Sequence, residues 1–111
     1  MDAVTRYRAL VRGVIEDYAR TRPANGDIDV EVLFDAERDR YELMHVGWDG
    51  PRRVHGSVLH LDIIGGKIWI QHDGTNRPVA DELVRAGVPR DAIVLAFHPP
   101  YARVHTDYAV G

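Results

Sequence analysis

The chain has 111 residues and a formal charge of −3, with 45% hydrophobic and 28% charged residues. This composition predicts one folded domain over residues 1–111, and the lack of cysteine excludes disulfides, thiolate metal sites and cysteine nucleophiles. The pI of about 6.0 argues against a dedicated nucleic-acid-binding domain, which usually has a pI above ~9. No apolar run approaches the ~18 residues that cross a bilayer, and the first residues lack the pattern of a secretory signal, so we expect a cytoplasmic protein.

Residues 3–20 have the spacing of an amphipathic helix. Apolar side chains recur at steps of three and four: Val4, Tyr7, Val11, Val14, Ile15 and Tyr18. Asp2 is a suitable N-cap, because its carboxylate can accept hydrogen bonds from the free amides of the first turn. Pro23 and the Asn25-Gly26 pair predict the end of this helix and a following turn.

Four segments then alternate between apolar and polar residues, as strands do. The segments are residues 28–35, 40–48, 52–64 and 67–71. The connections between them are short, and Gly65-Gly66 is a strong signal for a two-residue hairpin. In the third segment the apolar phase slips near Gly56, which predicts a bulge there. Short hairpins predict an antiparallel meander of four strands.

The last third of the sequence predicts one more helix and a tail. Pro78 fits the first helical position, and Gly87 fits the C-cap. The buried stripe of this helix is Val79, Leu83 and Val84. After the apolar run 93–97, Pro99-Pro100 breaks regular structure, and residues 101–111 are expected to be an extended tail. The predicted fold is α+β, with an N-terminal helix, a four-stranded antiparallel meander sheet, a C-terminal helix and an extended tail.

The histidines raise the question of a metal or acid–base site. His60 and Asp62 are two residues apart on a predicted strand, so their side chains point to the same face and could reach one ion. His45 and His72 could join them only if the strand register cooperated. The alternative is that these imidazoles bond to neighbouring backbone or carboxylates. We expect no metal and no cofactor, and keep a small metal-assisted hydrolase or nuclease using His60, Asp62 and His72 as an alternative hypothesis.

Charge is segregated along the chain. Trp48 with Arg52 and Arg53 forms a basic and aromatic patch at one end of the predicted sheet. The first helix adds Arg6, Arg8 and Arg12, and the first strand carries an acidic stripe of Asp27, Asp29, Glu31 and Asp35. Such segregation favours docking of a charged protein partner at least as well as docking of DNA. Direct DNA binding by the arginines stays open as a further alternative.

A series of short motifs follows one after another from the second strand onward. They are Gly47-Trp48-Asp49-Gly50, Arg53-Val54-His55-Gly56, His60-Leu61-Asp62-Ile63, Gly66-Lys67-Ile68-Trp69-Ile70-Gln71, Asp73-Gly74-Thr75, Glu82-Leu83-Val84, Gly87, Pro89, Ile93-Val94-Leu95, Phe97 and Pro99-Pro100. In this order, and together with the opening helix and the hairpin of residues 34–41, they resemble the XisI family over nearly the whole chain. The sequence departs from the family pattern at Asn76-Arg77 and at His98.

The resemblance implies a role in controlling the excision of a DNA element that interrupts a nitrogen-fixation ferredoxin gene. XisI proteins act beside a site-specific recombinase and a companion, XisH, whose fold resembles nucleases, and the family offers no catalytic residues. The resemblance therefore implies an accessory, non-enzymatic factor that works through a XisH-like partner and contacts DNA indirectly. Many relatives lie far from any such element, so a role in nitrogen fixation does not follow. A homodimer is a further expectation.

We predict that the partner binds residues at turns and strand ends. The predicted surface is Trp48, Asp49, Arg52, Arg53, His55, Lys67 and Trp69. Exposed aromatic side chains next to arginine are common anchors of protein interfaces. Whether Trp48 docks against a partner or folds back onto the edge of the core stays open at this point.

Overall fold

A single sheet with helices against it forms the protein, and the computed structural model describes residues 2–111. The helices are α1 (Ala3–Ala19), α2 (Val79–Arg85) and α3 (Pro100–Arg103), with a 3-10 turn at Arg90–Ala92. The strands are β1 (Asp27–Asp35), β2 (Arg40–Asp49), β3 (Arg52–Ile64), β4 (Lys67–Asp73) and β5 (Ile93–Leu95). The predicted α+β class is confirmed. Within the described residues, none of the helices is both long and apolar enough to cross a membrane.

Helix α1 begins and packs as its sequence predicts. Asp2 is the N-cap, and its Oδ1 accepts a hydrogen bond from the Thr5 amide at 2.8 Å, which lowers the pKa of Asp2. Tyr7, Val11 and Ile15 are buried against the sheet, because they share one face of the helix. The helix ends at Ala19, one residue earlier than the periodicity indicates.

Within residues 2–111 the sheet has five strands in the order β1-β2-β3-β4-β5, and not the four predicted. Strands β1 to β4 form the expected antiparallel meander, but β5 pairs in parallel with β4, with Ile68 opposite Ile93. Helix α2 makes the crossover that a parallel pair requires. The prediction missed β5 because its three residues are apolar on both faces, with Ile93 and Val94 fully buried, and so do not alternate.

Two bulges shift the register between paired strands of the sheet. Leu43 pairs with Leu59 whereas Met44 pairs with Ser57, so Val58 is the extra residue of β3. This bulge lies two residues beyond the position predicted at Gly56, and it explains the slip of the apolar phase. A second register shift occurs between His60 and Leu61 on the side facing β4. The Gly65-Gly66 turn is confirmed, since both glycines have positive φ, 58° and 78°.

The C-terminal segment is folded rather than extended along its whole length, which corrects the predicted tail. Pro100 starts α3 instead of ending regular structure, because proline suits the first turn of a helix. Beyond α3 the chain returns to the sheet, and Ala109 bridges to Val94 of β5. The Arg103 guanidinium lies 5.5 Å from the centroid of the Trp69 ring. The segment therefore covers the side of β4 and β5 that faces away from α1.

The core lies between α1, α2 and what we call the inner face of the sheet. Its fully or almost fully buried side chains include Tyr7, Val11, Ile15, Tyr41, Leu43, Leu59, Leu61, Ile68, Ile70, Val79, Leu83 and Ile93. On the strands these residues alternate with residues of the opposite, outer face. Burial of this apolar surface holds the two layers together.

Asp39 ties helix α1 to the turn between β1 and β2. Its Oδ1 accepts hydrogen bonds from Arg8 Nε at 2.8 Å and from the Tyr41 hydroxyl at 3.0 Å, and its Oδ2 accepts one from Arg8 Nη2 at 3.0 Å. The bond from Arg8 lowers the pKa of Asp39, and the same bond raises the pKa of Arg8. Burial, assisted by the bond to Asp39, raises the pKa of Tyr41 to about 12.

Candidate partner-binding surface

The outer face of β1, β2 and β3 is open to solvent. Antiparallel pairing places their side chains in rows across this face, since directly opposed residues point to the same side. The rows are Asp27 with Trp48 and Arg53, Asp29 with Val46 and His55, and Glu31 with Met44 and Ser57. We call these nine residues the open face. All of its members on β1 and β3 are exposed except Ser57, which is half-buried.

The open face has a different chemistry on each strand. Strand β1 contributes carboxylates, β2 contributes apolar side chains, and β3 contributes a guanidinium and an imidazole. The acidic stripe predicted for the first strand is confirmed on the outer side. Of the apolar middle strip of Met44, Val46 and Trp48, the predicted surface included only Trp48. The signal for it was present, because these residues alternate with the buried Tyr41 and Leu43.

Trp48 stands on the open face and does not fold back onto the core. Its side chain remains 51% exposed, which is high for so large an apolar group. The Arg53 guanidinium carbon lies 5.3 Å from the centroid of the indole ring, within the range of a cation–π contact, and Arg53 also donates to the Gly47 carbonyl at 3.3 Å. Arg53 thus holds the ring while leaving about half of it accessible.

Glycine allows the edge strand to approach β2 closely beside this tryptophan. A Cβ added at Gly47 would lie 2.1 Å from the Asp27 carbonyl oxygen and 2.7 Å from the Ile28 Cα, both backbone atoms. A Cβ at Gly26 would lie 2.7 Å from the Trp48 carbonyl oxygen, and Gly26 has a positive φ of 83°. The position of the acidic row next to Trp48 therefore depends on these two glycines.

The predicted surface residues fall into two groups at opposite ends of the sheet. Trp48, Asp49, Arg52, Arg53 and His55 gather at the turn between β2 and β3, where Arg52 and Asp49 form an ion pair at 3.4 Å. Lys67 and Trp69 lie at the start of β4, beside the other end of β3, and Trp69 pairs with Asp62, roughly 30 Å from Arg53 at about 3.3 Å per residue.

The second group is occupied by the protein's own C-terminus. Lys67 Nζ donates to the Gly111 carbonyl at 2.7 Å, and the Trp69 indole N–H donates to the Ile64 carbonyl at 3.2 Å. Only the first group therefore shares a surface with the open face.

The histidine cluster lies further along the same outer face. His60 Nε2 and Asp62 Oδ1 are 2.8 Å apart, so the two side chains share a face as predicted. Asp62 is only 5% exposed, and its Oδ2 accepts a hydrogen bond from Gln71 at 3.2 Å, while Arg40 Nε lies 3.6 Å from Oδ1. Glu42 lies on the other side of the imidazole, 3.9 Å from Nδ1. Existing hydrogen bonds and charges therefore engage both oxygens of the buried carboxylate.

The other histidines are placed differently. His72 lies opposite His60 on β4, whereas His45 points to the inner face, opposite Gly56. His45 therefore cannot join the His60 cluster. Within residues 2–111, the structure forms no group of three or more histidine and carboxylate side chains that could hold a metal ion.

A cavity of about 390 Å³ opens on the inner side of the sheet, between the end of α1 and the loop after β4. Its walls include Tyr18, His45, Val58 and Arg77. The Arg77 guanidinium carbon lies 4.3 Å from the centroid of the Tyr18 ring, and the Tyr18 hydroxyl donates to the Arg77 carbonyl. Burial raises the pKa of Tyr18. These contacts join α1 to the loop that precedes α2.

Asp73, at the end of β4, has a structural role. Its Oδ1 accepts hydrogen bonds from the Thr75 amide at 2.9 Å and from the Thr75 hydroxyl at 2.6 Å. Its Oδ2 accepts one from the Val79 amide at 2.8 Å, at the start of α2. The carboxylate thus organises the turn that leads into this helix.

Fold and surface together define a small α+β domain whose mixed sheet is covered on its inner face and open on part of its outer face. The chain belongs to the XisI protein family, which it matches over residues 1–110. It is similar to a XisI-like protein of known crystal structure from Anabaena variabilis ATCC 29413, with 43% identity, a TM-score of 0.91, and coverage of 99% of this chain and 100% of that one. The resemblance seen in the motifs is thereby confirmed.

A second solved structure from the same organism is described as the fdxN element excision controlling factor XisI. It is 36% identical to this chain, with a TM-score of 0.85 and coverage of 99% of this chain and 100% of that one. No protein of curated function matches the sequence.

Proposed function

We propose that this protein is an accessory, non-enzymatic controlling factor in site-specific excision of a DNA element, and that it acts through a XisH-like protein partner. Membership of the XisI family and the likeness to a protein described as an excision controlling factor support the role in excision. The observation that carries the partner-binding part is the half-exposed Trp48, held by Arg53 beside an apolar strip. Tryptophan and arginine are the residues most often found at interface hot spots.

The Trp48 end of the open face is the proposed partner-binding surface. Asp49, Arg52 and His55 surround Trp48 and Arg53 and supply a polar rim. A buried apolar centre with such a rim is the usual anatomy of a protein interface. Lys67 and Trp69 lie on β4, beside the far end of β3. They would contact the same partner only if that partner spanned the length of the sheet.

Charge supports indirect rather than direct contact with DNA. Many of the arginines already pair with carboxylates, including Arg8 with Asp39, Arg38 with Asp35 and Arg52 with Asp49. The row of acidic side chains on β1 would repel phosphates from the open face. We therefore assign the DNA contacts of an excision complex to its other members.

The His60–Asp62 pair favours one alternative, a small metal-assisted hydrolase that also uses His72. A carboxylate that orients an imidazole is a common arrangement in catalysis. Here, however, Asp62 also contacts Gln71 and Arg40, and the nearby guanidinium disfavours a metal cation at this site. This arrangement supports a structural role for the pair.

An excision assay with a reporter plasmid tests the proposal. The plasmid carries the host's own element and is combined with the host recombinase and XisH-like protein, with and without this chain. We expect excision to depend on the chain and to fall with Trp48→Ala, while Arg85→Ala, a change at an exposed arginine of α2, leaves excision intact. Fluorescence anisotropy with the isolated chain should show only weak DNA binding, with dissociation constants of about 1–100 μM that do not depend on sequence.

Three results would contradict the proposal. The first is excision that proceeds equally without the chain. The second is cleavage of DNA by the isolated chain, and the third is nanomolar, sequence-specific DNA binding by the isolated chain.

A further inference from the structure

The open face carries opposite charges on its two sides. The carboxylates of Asp27, Asp29 and Glu31 follow one another along β1. On β3, beyond the apolar middle strip, Arg53 lies in the same row as Asp27, and His55 lies in the same row as Asp29. Asp27 and Arg53 lie on either side of Trp48, and Asp29 and His55 on either side of Val46, so these two rows cross the face from a carboxylate through an apolar side chain to a basic residue. The third row, Glu31 with Met44, ends at Ser57. The register of these rows is regular, because the bulge in β3 lies outside them.

This pattern is complementary to itself under one symmetry operation. The operation is a two-fold rotation about an axis that runs parallel to β2, midway between the two facing sheets. The strands of the second copy then run in the same direction as those of the first, and the two sides of the face are exchanged. Strand β1 of one copy then lies over β3 of the other, so Asp27 faces Arg53 and Asp29 faces His55. The apolar residues of β2 face their own counterparts on the axis. Closed two-fold symmetry is the commonest arrangement of soluble oligomers.

The other simple pairings place like charges together. A two-fold axis across the strands would lay β1 over β1 and bring the two acidic rows into contact. Antiparallel addition of one β1 edge to another would likewise set these carboxylates side by side. Like charges directly opposed are destabilising, so both arrangements are disfavoured.

We propose that the open face binds a second copy of this chain, sheet against sheet, about a two-fold axis along β2. Aligned sheets pack about 10 Å apart with strands about 30° off parallel, which allows the rows to meet near the axis. Three strands and three rows form a small contact by the standard of stable complexes, so the dimer dissociates at micromolar concentration. Because this face includes the surface proposed for the XisH-like partner, the partner and the second copy compete for it.

A charge-exchange experiment with the isolated chain tests this dimer independently of any other protein. We expect the wild-type chain to dimerise in sedimentation equilibrium, and Asp27→Arg and Arg53→Asp each to weaken the dimer at least about tenfold. In an equimolar mixture of the two variants, the arginine introduced at position 27 faces the aspartate introduced at position 53. The unchanged Asp27 of the second variant likewise faces the unchanged Arg53 of the first. The mixture should therefore recover dimerisation to within about threefold of the wild type.

Both substituted positions are exposed, and thermal unfolding of each variant checks that the fold is intact. Asp29→Arg mixed with His55→Asp is the second pair if either first variant fails to fold. Arg85→Asp, on the opposite side of the molecule, is the control that should leave the dimer unchanged. A monomeric wild type at millimolar concentration, single variants that dimerise normally, or a mixture that stays monomeric would each overturn the proposal.

Discussion

Replacing Asp39 tests whether one carboxylate fastens helix α1 to the sheet. Asp39→Ala removes the acceptor of the Tyr41 hydroxyl, and a buried donor without a partner costs about 1–3 kcal/mol. The same residue has a φ of 55°, where alanine is less favourable than aspartate by about 1 kcal/mol. We therefore expect the free energy of unfolding to fall by about 3 kcal/mol, measured by urea denaturation.

Asp39→Asn is the matched control, because asparagine tolerates the left-handed conformation and keeps an acceptor while losing the charge. It should cost only about 1 kcal/mol. The pKa of Asp39 is lowered in the folded protein, so the stability contributed by its charge is present above about pH 4 and is lost as the pH falls through the folded pKa. The difference in the free energy of unfolding between wild type and Asp39→Asn should therefore become smaller in acid. Equal stability of wild type and Asp39→Ala, or a difference between wild type and Asp39→Asn that does not change with pH, would contradict this role of the Asp39 carboxylate.

Three further predictions concern other parts of the molecule. Gly47→Ala should lower the free energy of unfolding by about 2 kcal/mol or more, measured by thermal unfolding, because the new Cβ would clash with the backbone of β1. Gly56→Ala is the control and should be tolerated, since a Cβ at that position has nothing within 4 Å. Wild type should lose stability as the pH rises from about 10 to about 12, since Tyr41 ionises in the unfolded chain at a lower pH than in the folded protein. Tyr41→Phe should reduce this loss in alkaline denaturation curves, and the raised pKa of Tyr18 accounts for a part that remains. Protein purified without an affinity tag should contain no stoichiometric zinc by elemental analysis. Stoichiometric zinc that disappears in His60→Ala together with a catalytic activity would instead support the enzyme hypothesis.

Local patterns predicted those elements whose residues face two different environments. Alternation identified β1 to β4, and the glycine pair identified the turn between β3 and β4, because each signal depends only on neighbouring residues. Strand β5 escaped because its three residues are apolar on both faces, and only pairing with β4 makes them a strand. Pro100 was ambiguous because proline both breaks structure and begins helices.

The candidate surface was predicted in part for a similar reason. Parity along β2 places Trp48 outside, but whether another element covers it is a tertiary question that sequence could not answer. The grouping of Lys67 and Trp69 with Trp48 was avoidable, since the turns that carry them flank a long strand and must lie at opposite ends of it. The coverage of Trp69 by the C-terminal segment depends on contacts between residues far apart in sequence.

The affinity of this protein for a XisH-like partner, compared between wild type and Trp48→Ala, decides whether Trp48 belongs to a partner-binding surface. Titration calorimetry should show a loss of about 30-fold or more for the variant, corresponding to about 2 kcal/mol, while its melting temperature stays close to that of the wild type. Tyr101→Ala, which truncates a 79% exposed aromatic residue on α3, should bind like the wild type. Unchanged affinity of Trp48→Ala, or retained affinity with a large drop in melting temperature, would contradict the assignment of Trp48 to a partner-binding surface.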